Sequence, residues 1–290
     1  MSNNDSPPYY KIHQIALPLT CLNIMEAGSG APLIVVPATI SELENWTDLI
    51  QFMAQWFHVY FFELPGHGLS TPFQNKFSTT LVAQTVEQLV DYLQFERFSL
   101  MGFSFGGILA MRTYDRLHHR IDRLILNAPC LTYRAIMLSR TKILAMRGLG
   151  ALLRRRMVQE RLHRSLRHSR RRALFMDFLQ LIGKVENRHQ IDQKLAKIEI
   201  STIEVMGEQI KEAMKFRYPH PATKYGTPCY FTMSVHDPLL DYEITLNELH
   251  RNFSNVHVTK LYYPFHQPPK PFTFQELNRD FKESIEKTLV

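Results

Sequence analysis

The feature of this chain that most limits its fold is an alternation of short apolar runs with longer segments of helical periodicity. The runs predict buried strands because they are fully apolar and bounded by turn residues. In the first 130 residues the predicted strands are 33–36, 58–63, 98–101 and 121–126, and the predicted helices are 46–56, 79–93 and 106–117. Strands joined by helices of this length predict βαβ units, and therefore an α/β fold with a mostly parallel central sheet flanked by helices.

The middle of the chain interrupts this alternation. Residues 131–226 contain helical patterns only. The alternation then resumes, with predicted strands at 229–234 and 256–262 and predicted helices at 242–252 and 272–289. We therefore expect an α/β core built from residues 1–130 and 227–290, and an all-helical insertion at 131–226.

The positive charge of the chain is concentrated in this insertion. The 290 residues carry a net charge of +7, yet residues 131–226 alone hold 21 Lys and Arg against 8 Asp and Glu. Residues 152–172 hold nine Arg and one Glu, with Val158, Leu162 and Leu166 at every fourth position. A narrow apolar stripe beside so many arginines predicts a basic amphipathic helix.

Three interpretations of the basic helix compete. Charged helix faces are common, so the simplest is a face exposed to solvent. The second is docking on an anionic membrane or capture of an anionic lipid. The third, nucleic-acid binding, is disfavoured because no aromatic stacking platform and no nucleic-acid-binding motif accompany the charge.

The strongest local motif is Gly102-Phe103-Ser104-Phe105-Gly106, which follows an apolar strand and opens a helix. A G-x-S-x-G sequence in that context predicts a nucleophile elbow, in which the serine hydroxyl is exposed on a tight turn at the carboxyl end of the sheet. The alternative is a glycine-rich turn with no chemical role. The strand before the motif and the helix after it favour the nucleophile, Ser104.

A serine hydroxyl is a weak nucleophile and needs a base that is itself held by an acid. Asp237 follows the predicted strand 229–234, and Asp241 is the reserve candidate. The alternative for Asp237 is a cap on an Asp-Pro turn. Among the 13 histidines, His266 is the candidate base because it lies in a loop after a strand, whereas His250 and His257 lie in a predicted helix and strand.

Acyl transfer also needs two backbone N–H groups that stabilise an oxyanion. One is expected from Phe105, the residue after the nucleophile. The other is expected from the loop after strand 33–36, where Thr39 is the choice and Ala38 the reserve.

With these residues assembled, the chain resembles the α/β-hydrolase fold family. The resemblance covers nearly all of residues 20–130 and 227–290, and it rests on segments 22–30, 33–46 and 63–70 together with Ser104, Asp237 and His266. It is similar to the lid-bearing esterase, lipase, thioesterase and C–C hydrolase branches. The resemblance implies a catalytic triad of Ser104, Asp237 and His266, a mechanism without cofactor or metal, and a helical lid inserted between two strands.

Four positions depart from the family pattern. Pro37-Ala38 replaces the usual His-Gly of the oxyanion loop, Glu63 replaces Asp, and Phe265 replaces the Gly that commonly precedes the catalytic His. A serine at the elbow argues against an epoxide or haloalkane hydrolase, for which the resemblance would imply Asp.

The sequence therefore favours a serine hydrolase that acts on a small-molecule or lipid ester or thioester with an apolar acyl group. The alternatives are a catalytically silent binding protein on the same fold, or another triad chemistry such as a C–C hydrolase, an aminopeptidase or a perhydrolase. The N-terminus lacks a signal-peptide pattern, and no apolar run approaches the ~20 residues of a membrane-spanning helix. The expected location is cytoplasmic. The alternative is a cytoplasmic protein that contacts a membrane peripherally through its Arg-rich segment.

Overall fold

A computed structural model describes residues 6–39, 41–182 and 188–289, and for residues 178–182, 188–191 and 194 the description is of the backbone. Ile40, in the predicted oxyanion loop, and residues 183–187 of the predicted insertion lie outside the described residues. The chain divides into two compact units. The core unit comprises residues 1–138 and 215–290, and the arginine-rich unit comprises residues 139–214.

The core unit is built on one sheet, which has eight strands within the described residues. They are β1 (Tyr10–Ala16), β2 (Cys21–Ala27), β3 (Ala31–Val36), β4 (Phe57–Phe62), β5 (Phe98–Phe103), β6 (Ile121–Asn127), β7 (Cys229–Ser234) and β8 (Val256–Leu261). Their order is β1-β2-β4-β3-β5-β6-β7-β8. The pairs β1–β2 and β2–β4 are antiparallel, and every pair from β4–β3 to β7–β8 is parallel.

The helices divide between the two units. Those of the core unit are α1 (Thr47–Met53), α2 (Thr79–Tyr92), α3 (Phe105–Leu117), α9 (Tyr242–Asn252) and α10 (Phe274–Thr288). Those of the arginine-rich unit are α4 (Arg140–Leu153), α5 (Arg156–Arg167), α6 (Ser169–Ile182), α7 (Arg188–Lys197) and α8 (Ile200–Ala213). No helix within the described ranges combines the length and the apolar character needed to cross a lipid bilayer.

The central strands are buried on both faces. Leu33, Ile34, Val35 and Val36 are all buried, although neighbouring side chains of a strand point to opposite faces of the sheet. Apolar residues of α1 and α10 share a core cluster with β3 and β4, and α3 packs against β5, β6 and α2. The mostly parallel α/β sheet flanked by helices, predicted from the sequence, is confirmed.

The sequence did not predict β1 and β2, which form the antiparallel edge of the sheet. β1 reads YKIHQIA, and only one of its residues, Ile15, is buried. An antiparallel edge strand can face solvent, so it lacks the continuous apolar run by which the parallel strands were recognised.

The arginine-rich unit is narrower than the predicted insertion of residues 131–226. Residues 131–138 and 215–226 stay in the core unit, where the chain leaving the sheet pairs with the chain returning to it. Tyr133 N donates to Phe216 O at 2.8 Å, and Tyr218 N donates to Leu131 O at 3.2 Å. These contacts join residues far apart in sequence, so helical periodicity cannot reveal them.

The basic segment 152–172, expected as one helix, is divided among α4, α5 and α6. Arg155 and His168 adopt extended conformations with ψ of 121° and 120° and separate the helices. Side chains satisfy the carbonyl groups at the breaks, since Gln159 Nε2 donates to Leu153 O and Arg172 donates to Leu166 O. The predicted apolar stripe lies on α5, where Leu166 is buried and Val158 and Leu162 are half-buried.

Candidate functional site

Three loops at the carboxyl edge of the parallel strands carry the predicted site residues. Ser104 follows β5, Asp237 follows β7 and His266 follows β8. Parallel neighbours end at the same edge of a sheet, so residues distant in sequence meet there. The structure brings these three side chains into contact.

Ser104 occupies a strained turn between β5 and α3. Its φ of 54° and ψ of −115° are unusual for a residue with a side chain. The turn is held by its own backbone: Ser104 N donates to Asn127 O at 3.0 Å, and Ser104 O accepts from Gly107 N and Cys130 N at 2.9 Å. This strained strand-to-helix turn is the backbone geometry expected of a nucleophile elbow.

The glycines beside Ser104 permit a close approach of the helix to the strands. A Cβ at Gly102 would lie 2.4 Å from Gly106 O, and a Cβ at Gly106 would lie 2.8 Å from Val36 O. Both distances are below van der Waals contact. The motif therefore needs glycine at these positions to bring the N-terminus of α3 against the end of β3.

His266 joins the other two side chains in one hydrogen-bonded chain. Its Nε2 lies 2.7 Å from Ser104 Oγ, and its Nδ1 lies 2.6 Å from Asp237 Oδ2. A carboxylate only accepts, so Nδ1 carries the proton and Nε2 is left to accept the serine hydroxyl. The side chains of His266 and Asp237 are 12% and 1% exposed, so water competes little for these bonds.

Asp237 is held as a carboxylate by its neighbours. Burial alone would raise its pKa, but the hydrogen bond and the charge of His266, with the N–H groups of Leu240 and Leu239, hold the pKa of Asp237 below its usual value. Those N–H groups donate to Oδ1 at 3.0 and 2.8 Å, which leaves Oδ2 for the imidazole. The carboxylate is therefore ionised at neutral pH and fixed in orientation.

The structure separates three other candidates from this site: the reserve acid Asp241, and the histidines His250 and His257, which the sequence disfavoured. Asp241 caps the N-terminus of α9, where its carboxylate accepts from Ile244 N at 2.8 Å. His250 lies exposed in α9, and His257 stacks on Tyr230 with ring centroids 4.7 Å apart. None of the three contacts Ser104 or His266.

The two backbone groups expected to bind an oxyanion lie on elements that converge. Phe105 is the first residue of α3, so its N–H has no acceptor within the helix. Thr39 and Ala38 lie in the loop after β3. The carbonyl groups of Val36, the last residue of β3, and of Pro37 lie beside Gly106 in α3. The roles of Phe105 and Thr39 as oxyanion donors stay predictions.

Two residues that the sequence analysis did not single out support the site. Ser234, buried at the carboxyl end of β7, donates from Oγ to Tyr263 O at 2.6 Å and accepts from His236 N at 3.1 Å. It thereby ties the loop of Asp237 to the loop of His266. The ring of Phe103 lies 5.6 Å from that of His266. A hydroxyl at the end of a mostly apolar strand is the sequence signal by which Ser234 could have been found.

Glu63, one of the departures from the family pattern, holds the loop after β4. Its buried carboxylate accepts from Asn23 Nδ2 at 3.0 Å and from Leu69 N at 2.7 Å, and Ser70 Oγ donates to its carbonyl oxygen at 2.8 Å. The longer side chain therefore has specific partners and a structural role.

Comparison with known proteins agrees with this fold. A family model described as alpha/beta hydrolase fold matches residues 31–177, about half of the chain. Human serine hydrolase-like protein 2 is 28% identical over 131 residues, which are 43% of this chain and 41% of that protein. The pimeloyl-[acyl-carrier protein] methyl ester esterase of Nitrosomonas europaea is 28% identical over 119 residues, which are 40% of this chain and 45% of that protein.

The chain thus spans less than half the length of these two curated relatives. A solved structure covers much more of it. The thermophilic esterase from Thermogutta terrifontis superposes with a TM-score of 0.66, at 16% identity, over 96% of this chain and 98% of that one. At that identity the likeness concerns the fold.

Proposed function

The chain belongs to the α/β-hydrolase fold family, and we propose that it is a serine hydrolase that cleaves a carboxylic ester or thioester with an apolar acyl group. The observation that carries the proposal is the hydrogen-bonded chain from Ser104 through His266 to Asp237. A hydroxyl, a base and a buried acid in that order form the arrangement that activates serine for nucleophilic attack. The relatives named above include a serine hydrolase-like protein and a methyl ester esterase.

In the proposed reaction, His266 Nε2 takes the hydroxyl proton as Ser104 Oγ attacks the substrate carbonyl. The imidazolium that forms is stabilised by the Asp237 carboxylate. The backbone N–H groups of Phe105 and Thr39 stabilise the oxyanion of the tetrahedral intermediate. His266 then gives the proton to the leaving alcohol or thiol, and Ser104 is left acylated.

Hydrolysis of the acyl-enzyme repeats the same proton transfers with water as the nucleophile. His266 takes a proton from water, the hydroxide adds to the acyl carbonyl, and the proton returns to Ser104 Oγ as the carboxylic acid leaves. These two half-reactions use side-chain and backbone groups of this chain together with water, and they need no metal or organic cofactor.

The aromatic surroundings of the site support an apolar substrate. Phe103 contacts His266 on one side and Trp46 on the other, with the Trp46 ring centroid 6.0 Å away. Tyr263 and Phe265 stack with centroids 5.1 Å apart in the loop that carries His266. Phe265 stands where the family commonly has Gly, so it adds apolar bulk beside the proposed base.

The test is a panel of p-nitrophenyl esters of rising acyl length, with an acyl-CoA thioester and a phospholipid alongside. We expect turnover of an ester or thioester with an apolar chain and, by mass spectrometry, an acyl adduct on Ser104. Ser104→Ala should give neither product nor adduct. Turnover that survives in Ser104→Ala would exclude the proposed mechanism.

The same panel, extended by a C–C substrate, a peptide amide and added peroxide, distinguishes the alternatives. A catalytically silent binding protein would retain an ester without cleaving it. Cleavage restricted to a C–C substrate or a peptide amide, or turnover that requires peroxide, would assign the site to a C–C hydrolase, an aminopeptidase or a perhydrolase.

A second proposal concerns the arginine-rich unit, which we infer docks peripherally on anionic membranes. Exposed apolar side chains lie on the same helices as its arginines; Leu144, Met157 and Leu174 are each about two thirds exposed or more. Basic residues near an anionic leaflet gain about 1 kcal/mol each, and exposed apolar side chains add burial in the interface. The predicted role of this unit as a lid stays a prediction.

Vesicle sedimentation tests this second proposal. We expect the protein to sediment with phosphatidylserine vesicles, to remain in solution with neutral vesicles, and to be released as salt screens the charges. Leu144→Ser with Leu174→Ser should weaken sedimentation. Equal binding to both kinds of vesicle, or binding to neither, would contradict this proposal and favour the simplest interpretation, a helix face exposed to solvent.

A further inference from the structure

An open cavity lies where α5 meets α6, wholly within the arginine-rich unit. Its volume is about 690 Å³, within the range of small-ligand pockets. Cationic and imidazole side chains dominate its lining, namely Arg161, Arg164, Arg167, Arg171, His163 and His168. A concave surface lets one ligand contact several of these groups at once.

The positive charge of this cavity is largely unbalanced by carboxylates. Arg167 contacts Glu199 Oε1 at 3.2 Å. In the part of the chain whose side chains are described, Arg161, Arg164 and Arg171 contact no carboxylate. Glu160, the one acidic residue of α5, pairs instead with Arg156 at 2.8 Å.

Elsewhere the same unit pairs its cations closely. Glu208, whose side chain is 4% exposed, lies 2.5 Å from Arg154 Nε and 3.1 Å from Lys211 Nζ. Arg172 pairs with Asp192 at 2.7 Å. The unit therefore contains carboxylates that neutralise arginines, and Arg161, Arg164 and Arg171 of the cavity are among the described arginines that they do not reach.

The arginines that α5 contributes to the cavity repel one another. Arg161, Arg164 and Arg167 follow each other at intervals of three residues, which places them on one face of α5 where like charges destabilise the helix. The N-terminus of α6 adds partial positive charge from its free N–H groups. An anion in the cavity would relieve this repulsion by bonding several donors together.

We propose that this cavity binds a phosphate-bearing ligand, with Arg161, Arg164 and Arg171 as the donors to its phosphate oxygens. Guanidinium groups present paired N–H donors that match two phosphate oxygens, and they stay charged at every physiological pH. The chemistry is that of a phosphate monoester or diphosphate. A soluble phosphorylated metabolite and a phosphorylated lipid headgroup both carry it.

The test is calorimetric titration of the full chain with inorganic pyrophosphate at fixed ionic strength. Replacing Arg161, Arg164 and Arg171 together by Gln should weaken binding by about tenfold or more, since a hydrogen bond to a charged group contributes about that much. The matched control replaces Arg140, Arg155 and Arg170 by Gln. These three arginines are also exposed and do not line the cavity, and their replacement removes the same charge. We therefore expect the affinity for pyrophosphate to fall by less than about twofold, through the loss of screened long-range attraction alone.

Replacing Arg161, Arg164 and Arg171 together by Lys keeps the charge and removes the forked N–H donors. That variant should bind pyrophosphate more weakly than the wild type and more tightly than the Gln variant. Equal losses in the cavity and control variants, undiminished binding in the Lys variant, or no binding by the wild type would each overturn the proposal.

Vesicles that contain phosphatidic acid distinguish the two sources of the phosphate group. Binding to these vesicles that pyrophosphate displaces, and that the cavity variant loses, assigns the site to a lipid headgroup. Pyrophosphate binding without such displacement assigns it to a soluble ligand. The pyrophosphate titration does not involve Ser104, so its outcome is independent of the proposed hydrolase activity.

Discussion

Each unit of this chain contains a well-buried carboxylate with basic partners, and the partners differ. Asp237 of the core unit is paired with His266, whereas Glu208 of the arginine-rich unit is paired with Arg154 and Lys211. Histidine gains and loses a proton near neutral pH, but arginine stays protonated. The first pair can therefore move a proton to and from a substrate, and the second can only hold a structure together.

The remaining charges sharpen this difference. In the core unit, the proposed catalytic groups are withdrawn from water and each has a defined partner, so their orientation is fixed. In the arginine-rich unit, the arginines around the cavity are exposed and mostly have no carboxylate partner. Fixed, buried partners suit the cleavage of one defined bond in a substrate, whereas exposed cations suit reversible binding of an anion.

The largest expected effect is the loss of the proposed base. His266→Ala should lower the turnover of a cleavable ester by roughly 10⁵- to 10⁶-fold, because base and nucleophile act as a unit. Steady-state kinetics measures it, and circular dichroism checks that the fold is intact. A loss of less than about tenfold would mean that His266 does not act on Ser104.

Removing the charge of the proposed acid should lower turnover less than removing the proposed base does. Asp237→Asn keeps the shape of the side chain but no longer fixes the imidazole tautomer, so turnover should fall by roughly 10⁴-fold. Asp241→Asn is the matched control, and because Asp241 only caps α9, its turnover should stay near wild type. The opposite pattern would assign the acid to Asp241.

Removing a partner of Glu208, the buried carboxylate of the arginine-rich unit, should lower the stability of the protein. Arg154→Gln leaves Glu208 buried with Lys211 as its remaining cation, so the free energy of unfolding should fall by about 2–3 kcal/mol. Arg155→Gln, which removes an exposed arginine, should change it by less than about 0.5 kcal/mol. Urea unfolding compares the two. Equal effects would show that the Arg154–Glu208 pair contributes no specific stability.

His67 offers a third kind of buried group, one whose Nδ1 has no hydrogen-bond partner among the residues that the structure describes. Burial lowers the pKa of His67 to about 4, against a smaller opposing effect of Glu42. Neutral His67 therefore favours folding above the unfolded pKa of about 6.5, and this contribution is lost as pH falls towards 4. The loss between pH 7 and pH 5 should be about 2 kcal/mol.

His67→Gln does not titrate in this range, so it should remove that part of the pH dependence. Urea unfolding at pH 7 and pH 5 gives the change in the free energy of unfolding between the two pH values for each protein. Comparing these changes removes any effect of the substitution that is the same at both pH values. An unchanged pH dependence in the variant would mean that His67 takes up its proton in the folded state at an ordinary pKa.

Much of the core could be predicted because it depends on local patterns. The apolar run of β3 and the periodicity of α9 placed both elements, and the G-x-S-x-G motif placed Ser104 on its turn. The choice between Asp237 and Asp241 needed geometry, because both follow β7 and only the path of the chain decides which one meets His266.

Other features could not be predicted because they arise from contacts between distant residues. β1 is recognisable only through its pairing with β2, and the bond from Ser234 to Tyr263 joins two loops. The cavity of the arginine-rich unit depends on the break at His168, which no local pattern in a run of arginines indicated.

The most direct test of the central claim is covalent labelling with a fluorophosphonate, which reacts with a serine only where a neighbouring base activates it. We expect the full chain to be labelled at one site, with the adduct mapped to Ser104 by peptide mass spectrometry. Labelling should disappear in Ser104→Ala and slow markedly in His266→Ala. A folded wild-type protein that is not labelled, or labelling that persists in Ser104→Ala, would contradict the account.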